Sequence, residues 1–217
     1  MTDFTASLAE LIRAQEKPVP DAPGGVKKNY TEALSHEISR ILAATLNDLG
    51  LEQARAPSGN RDKSFMGGYG TKGVDVYLSD ERHGLLLTSG VKGLVFDPRK
   101  NLKNRYRDMV MEALELHRRC PYAICGHLFF LGKAESALSS KKFGTVLGEA
   151  AVLMSGIAQR RLPTDAPELY EEIGILLFDP GDPDSLDLAP PGIPESLHAA
   201  TYPQRLVDAF NRRNPFY

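Results

Sequence analysis

The chain is expected to fold as an α/β domain with a mixed central sheet flanked by helices. Segments with apolar residues at helical spacing recur near 29 to 50, 101 to 119 and 143 to 160. Short apolar runs lie between and after them, at 74 to 92, 122 to 131 and 169 to 178. Helices that separate the later strands imply a mixed sheet with helices on its faces.

The 217 residues fit one domain large enough to build a core. Hydrophobic content of 42%, charged content of 25% and a net charge of −2 are those of an ordinary globular chain. Any nucleic-acid contact must therefore be a local patch. No apolar run approaches the roughly 20 residues that span a bilayer, and the N-terminus lacks a signal pattern. The two cysteines cannot form a disulfide framework, so a cytoplasmic protein is expected.

Phe4, Leu8, Leu11 and Ile12 have helical spacing, with Thr2 or Thr5 as caps. The tract 18 to 25, rich in proline and glycine, reads as a linker, so 1–26 is expected to be a helical arm and linker. The core is expected over 27–180. Asn29 and Glu32 have the spacing of a capping box. Leu34, Ile38, Ile41, Leu42, Thr45 and Leu49 then make one face of a helix that ends near Gly50. Glu37 sits at the border of that face, as either a surface carboxylate or a group reaching the site described next.

Gly67 to Gly73 lacks the Lys-Ser/Thr ending of a phosphate loop and precedes a strand, so it reads as a glycine-rich hairpin or bulge, with a strand near 64 to 70. Arg61-Asp62-Lys63 is set aside because nothing strand-like surrounds it. Strands 74 to 78 and 85 to 92 flank a polar turn, with Thr88, Gly90 and Lys92 on one face of the second. On the helix that follows, Asp108, Glu112 and Glu115 share a side. Between 163 and 200 there are nine acidic residues and no Lys or Arg. Residues 181–217 are accordingly expected to be a Pro-rich acidic wrap with a short C-terminal helix over 202 to 213.

Asp75 inside the first strand and Lys92 at the end of the second are expensive to bury without partners. Together they could hold a divalent metal and a phosphate. Phosphodiester hydrolysis needs a metal to polarise the phosphoryl oxygen and a fixed positive charge nearby, and carboxylates suit Mg²⁺, with Mn²⁺ as a substitute. From 92 to 119 there are eight Lys or Arg residues against four acids, a local +4 that suits a phosphate backbone. The plain alternative is a solvated amphipathic helix. His117, Cys120, Cys125 and His127 are zinc-ligand types, but their spacing disfavours zinc. A Ser–His–Asp hydrolase is disfavoured because no Gly-x-Ser-x-Gly elbow is present.

Helix Glu37, strand Asp75, strand-end Lys92 and the helix–strands–helix–strand order resemble the PD-(D/E)xK nuclease superfamily, over roughly 29 to 178. The resemblance implies a restriction-endonuclease-like fold and a Mg²⁺-dependent DNA endonuclease. It makes Asp75 a metal ligand, Lys92 the catalytic lysine and Glu37 an assisting carboxylate. Lys100, Lys103, Arg105 and Arg107 would contact DNA. The family's second acid lies two residues before the lysine, where this chain has Gly90. Either a carboxylate of the following helix replaces it, Asp108 first and Glu112 next, or the chain is a catalytically inactive DNA-binding or protein-interaction module. A homodimer is expected only by analogy.

Overall fold

A computed structural model of the chain describes residues 3–19, 21–58, 63–215 and 217. Helix α1 (Phe4–Ala14) is capped by Asp3, whose Oδ1 accepts the N–H groups of Thr5 at 3.0 Å and Ala6 at 3.1 Å. Thr5 therefore lies inside the helix, and Thr2, the other expected cap, falls outside the described residues. Phe4, Leu8 and Ile12 bury the inner stripe of α1 against helix α2 (Gly24–Asp48) and the late strand β9 (Asp182–Asp187).

Helix α2 (Gly24–Asp48) begins five residues before the expected capping box. Pro23 precedes it, and the Pro23 carbonyl accepts from Val26 at 2.9 Å and Lys27 at 3.2 Å. Asn29 and Glu32 are consequently interior positions, and Glu32 pairs with Lys28 one turn earlier at 3.4 Å. Strands β1 (Lys63–Met66) and β2 (Thr71–Val74) make a separate antiparallel pair. Lys63 thus opens a strand, contrary to the reading of its surroundings from sequence, while Arg61 and Asp62 lie outside the described residues.

The main sheet contains β3 (Val76–Asp80), β4 (Gly84–Leu94), β5 (Ile124–Gly132), β8 (Glu172–Asp179) and β9 (Asp182–Asp187), in the order β3-β4-β5-β8-β9. The three central strands run parallel and the two outer ones antiparallel. Between them come α3 (Pro98–Arg119), the one-turn α4 (Lys133–Ser136), the small pair β6 (Ser139–Ser140) and β7 (Gly144–Thr145), and α5 (Val146–Ser155). Two 3₁₀ turns and α6 (Tyr202–Arg213) close the chain. The acidic, Pro-rich segment is thus not wholly irregular, because β9 returns along β8 through a short turn at Gly181.

Period-two alternation along β5 divides the core into two layers. Ile124, Leu128 and Phe130 face α1, α2 and α6, whereas Cys125, Phe129 and Leu131 face α3 and α5. Every residue of β5 is buried, as a central parallel strand covered on both faces requires. Tyr202 fastens α6 to this sheet, with its hydroxyl 2.6 Å from Ser89 Oγ. A Cβ at Gly174 would lie 2.9 Å from Tyr202 Cβ, so the bare strand surface there admits the ring.

Candidate functional site

The site forms where the chain passes from one sheet to another. Asp75 is the single residue between β2, paired with β1, and β3, paired with β4. The β3–β4 ladder reaches the Val76–Ser89 pair, and beyond it Asp75 Oδ2 accepts the Val91 N–H at 2.8 Å. The carboxylate thus serves a β4 amide that lies beyond the end of the β3 ladder. Asp75 is only 4% exposed, and Lys92 supplies the compensating charge. Lys92 Nζ lies 3.3 Å from Oδ1 and 3.1 Å from Oδ2.

This ion pair lines a cleft of about 310 Å³. Thr31, Glu32, Ser35 and His36 of α2 form one wall and Arg105 of α3 another. A neighbouring cavity of about 350 Å³ shares Thr31, Glu32, Gly93 and Arg105 and extends past Lys27 and Lys28. The cleft therefore sets Lys92 and Arg105 beside the buried Asp75 and the exposed Glu32, and Lys27 and Lys28 continue the positive charge into the neighbouring cavity. The Arg105 side chain also touches Asp108 at 3.4 Å, while its buried Nε has no hydrogen-bond partner among the described residues.

Glu37 does not line this cleft. It is half-exposed and pairs with Arg40 on its own helix. Successive helix residues turn by about 100°, so Glu32 and Glu37 project about 140° apart. Glu32 and His36 are the α2 groups the sequence reading missed, and their i, i+4 spacing with Thr31 and Ser35 was the available signal.

Asp108 and Glu112 also part company. Asp108 is exposed and pairs with Arg105, whereas Glu112, one turn later, is buried. A Cβ at Gly90 would lie 2.7 Å from Glu112 Oε1 and 2.6 Å from His127 Nδ1. The helix carboxylate thus occupies the space beside β4 that a side chain at position 90 would enter. Glu115 lies further along α3, where it touches Lys72 of β2 at 3.8 Å. Of the four expected nucleic-acid contacts, Lys100, Lys103 and Arg107 are exposed at i, i+3, i+7 spacing, and Lys103 reaches Glu149 at 3.8 Å. Arg105 alone turns into the cleft.

Behind Lys92, His127 pairs in register with Gly90. It is fully buried, and neither ring nitrogen has a hydrogen-bond partner among the described residues. Its Nδ1 lies 4.0 Å from Glu112 Oε1 and its ring meets Tyr170 edge-on. Burial, reinforced by the positive charges of Lys92 and Arg105, pushes its pKa down to about 3. At neutral pH the imidazole is uncharged.

Among the described residues, the one group of three His, Cys, Asp or Glu side chains with ligand atoms within 4.8 Å of one another is His117, Cys125 and Glu171. His127 does not join it. Glu171 Oε1 accepts from Arg160 at 2.8 Å and Arg213 at 2.6 Å, and Oε2 accepts the Cys125 N–H at 2.8 Å. His117 Nδ1 bonds the Pro167 carbonyl at 2.9 Å, and its Nε2 lies 3.2 Å from Glu171 Oε2. Burial pushes the Cys125 thiol well up, and the nearby Glu171 carboxylate adds to it. Two guanidiniums on the carboxylate and a protonated thiol fit an ion-pair cluster better than a metal centre.

Among the described residues, no helix is long and apolar enough to cross a membrane. Compared with protein-family models, curated proteins and solved structures, the chain matches none.

Proposed function

We propose that the Asp75–Lys92 cleft is the active site of a metal-dependent phosphodiesterase acting on DNA, in a restriction-endonuclease-like fold. The observation that carries this reading is the buried Asp75 carboxylate held against Lys92 at the wall of an open cleft that also presents Glu32 and Arg105. The element order supports the fold: α2, β1, a bent β2–β3 strand with Asp75 at the bend, β4, α3 and a parallel β5. Glu112 beside Gly90 supports replacement of the absent strand acid by a helix carboxylate.

Asp75 would hold Mg²⁺ or Mn²⁺, with Glu112 of α3 and the cleft carboxylate Glu32 of α2 as the further oxygen donors proposed. An oxygen set of one or two carboxylates suits Mg²⁺, which keeps several waters. Bound there, the metal would polarise a phosphoryl oxygen and lower the pKa of a water. Lys92 presents a fixed positive charge where negative charge develops on the phosphate. Arg105 adds a guanidinium at the other wall, and Lys27 and Lys28 continue the positive track for the strand.

Cleavage of supercoiled, linear and single-stranded DNA with Mg²⁺ or Mn²⁺ tests the reading. Lys92→Ala and Asp75→Asn should each lower cleavage by about 10²–10³-fold while the far-ultraviolet spectrum is retained. Persistent activity in Lys92→Ala would sink the assignment. A second reading, a silent DNA-binding module, is favoured by one observation: no three potential metal donors converge at Asp75 among the described residues. DNA binding without cleavage by the wild type under either metal would select it.

A further inference from the structure

We infer that the chain carries a second ligand site, for a nucleoside phosphate, at the opposite end of the sheet from Asp75 and Lys92. A cavity of about 450 Å³ opens beside the start of β5, between α6 and the segment 160 to 163. Lys92 lies in register with Phe129, five residues along β5 from Ile124 in the cavity wall, a span of about 16 Å. Nothing in the first site uses this cavity, and the inference does not rest on the phosphodiesterase reading.

The cavity is built around an excess of positive charge. Arg160, Arg161, Arg212 and Arg213 line it against the single carboxylate of Glu171, a difference of four minus one, or +3. Asp165 stands nearby, spent on the N–H groups of Arg161 and Leu162 at 2.8 Å each, and including it still leaves +2. Two of the guanidiniums are fixed in place. Arg160 is 2% exposed and donates to Glu171 Oε1 and to the Pro121 and Pro163 carbonyls. Arg213 shares the same Glu171 oxygen and donates to the Arg161 carbonyl at 2.9 Å.

The other two are available for a ligand. The Arg161 side chain is 56% exposed and only 3.9 Å from Glu172, whose other oxygen already accepts from Arg205 at 2.8 Å. Arg212 is exposed and has no ion-pair partner among the described residues. Guanidiniums suit phosphate because their paired N–H groups match its oxygens. A dianion offsets most of this excess, which a single carboxylate does not.

Size and lining identify the rest of the ligand. The volume lies within the range of about 300–1,000 Å³ for small-molecule sites and far exceeds a bare phosphate. Tyr122 and Leu162, 69% and 59% exposed, put an aromatic ring and an apolar side chain at the same cavity. A flat base stacks favourably on an aromatic face or a guanidinium plane. The phosphate is assigned to Arg161 and Arg212, and the base to Tyr122 and Leu162.

Titration calorimetry of the 217-residue chain with AMP, adenosine and inorganic phosphate tests the site. AMP should bind saturably, and adenosine or phosphate alone at least about tenfold more weakly. Arg161→Ala and Arg212→Ala should each weaken AMP by about tenfold, and Tyr122→Ala should weaken AMP but not phosphate. These side chains are exposed, so the fold should survive, and thermal unfolding without ligand checks that. Lys92→Ala should bind AMP like the wild type. Absent AMP binding, phosphate binding as tight as AMP, an unaffected Arg161→Ala/Arg212→Ala double variant, or loss of AMP binding in Lys92→Ala would each overturn the inference.

Discussion

The carboxylate of Glu112 sits where a side chain at Gly90 would have to go, with Oε1 2.7 Å from the position of a Cβ there. Gly90 is therefore a packing requirement of this arrangement, and a side chain there must displace Glu112 or His127.

Gly90→Asp should accordingly destabilise the fold by about 1–3 kcal/mol through overpacking, with like-charge repulsion added. Glu112→Ala in the same chain should recover part of that loss by opening the space. In the cleavage assay, Glu112→Ala alone should be impaired and the double variant should regain activity. Urea midpoints and cleavage rates of the four proteins measure both. A Gly90→Asp chain as stable as the wild type would remove the packing account.

His127 sets a pH dependence. Its folded pKa of about 3 lies below the ordinary 6.5, so below pH 6.5 the unfolded chain binds a proton that the folded chain refuses. Stability therefore rises with pH across this window and falls on acidification from about 6.5 towards 3, by at most about 1.4 kcal/mol per pH unit from this one group. His127→Leu should flatten the unfolding free energy between pH 6.5 and 4.5 relative to the wild type. Parallel curves would mean that the imidazole is not held neutral.

The Asp75–Lys92 proximity was legible in the sequence because both charges sit among apolar residues in neighbouring segments, although Asp75 falls at the break between β2 and β3 rather than inside a strand. The closing helix was expected over 202 to 213, the bounds of α6. Glu32 was not, because the start of α2 depends on Pro23 and on tolerance of Gly24 and Gly25 in the first turn rather than on an Asn29 cap. The choice between Asp108 and Glu112 was equally hidden. Helical periodicity puts both on one side of α3, and only the position of β4 decides which turn is covered. The Glu171 cluster joins residues 42 positions apart, a pairing that spacing does not encode.

The arm contributes to the core. Leu8 is 1% exposed in the layer shared with α2 and β9. Leu8→Ala should cost about 2–5 kcal/mol, lowering the denaturation midpoint without altering the Asp75–Lys92 cleft. A change below about 0.5 kcal/mol would mean that α1 docks independently of the domain.

Glu171 holds the far end of the sheet together. One oxygen accepts from both Arg160 and Arg213, and the other accepts the Cys125 N–H, so a single carboxylate joins β5, the loop after α5 and the end of α6. Burial alone would raise its pKa; His117, the Cys125 N–H and Arg213 outweigh it and hold the carboxyl below its ordinary 4.5. Because the folded pKa is depressed, this stabilisation is present above pH 4.5 and is lost as pH falls through the folded value. Glu171→Gln keeps the shape but leaves two guanidiniums facing a neutral group. Breaking such a buried pair costs about 3–5 kcal/mol, and the carbonyls of Pro121 and Pro163 that still hold Arg160 place the expected loss at the lower end. The acid limb of the variant's stability curve should also be shallower than that of the wild type. If Glu171→Gln unfolds at the wild-type midpoint, the cluster contributes no net stability and its carboxylate serves only to position the arginines.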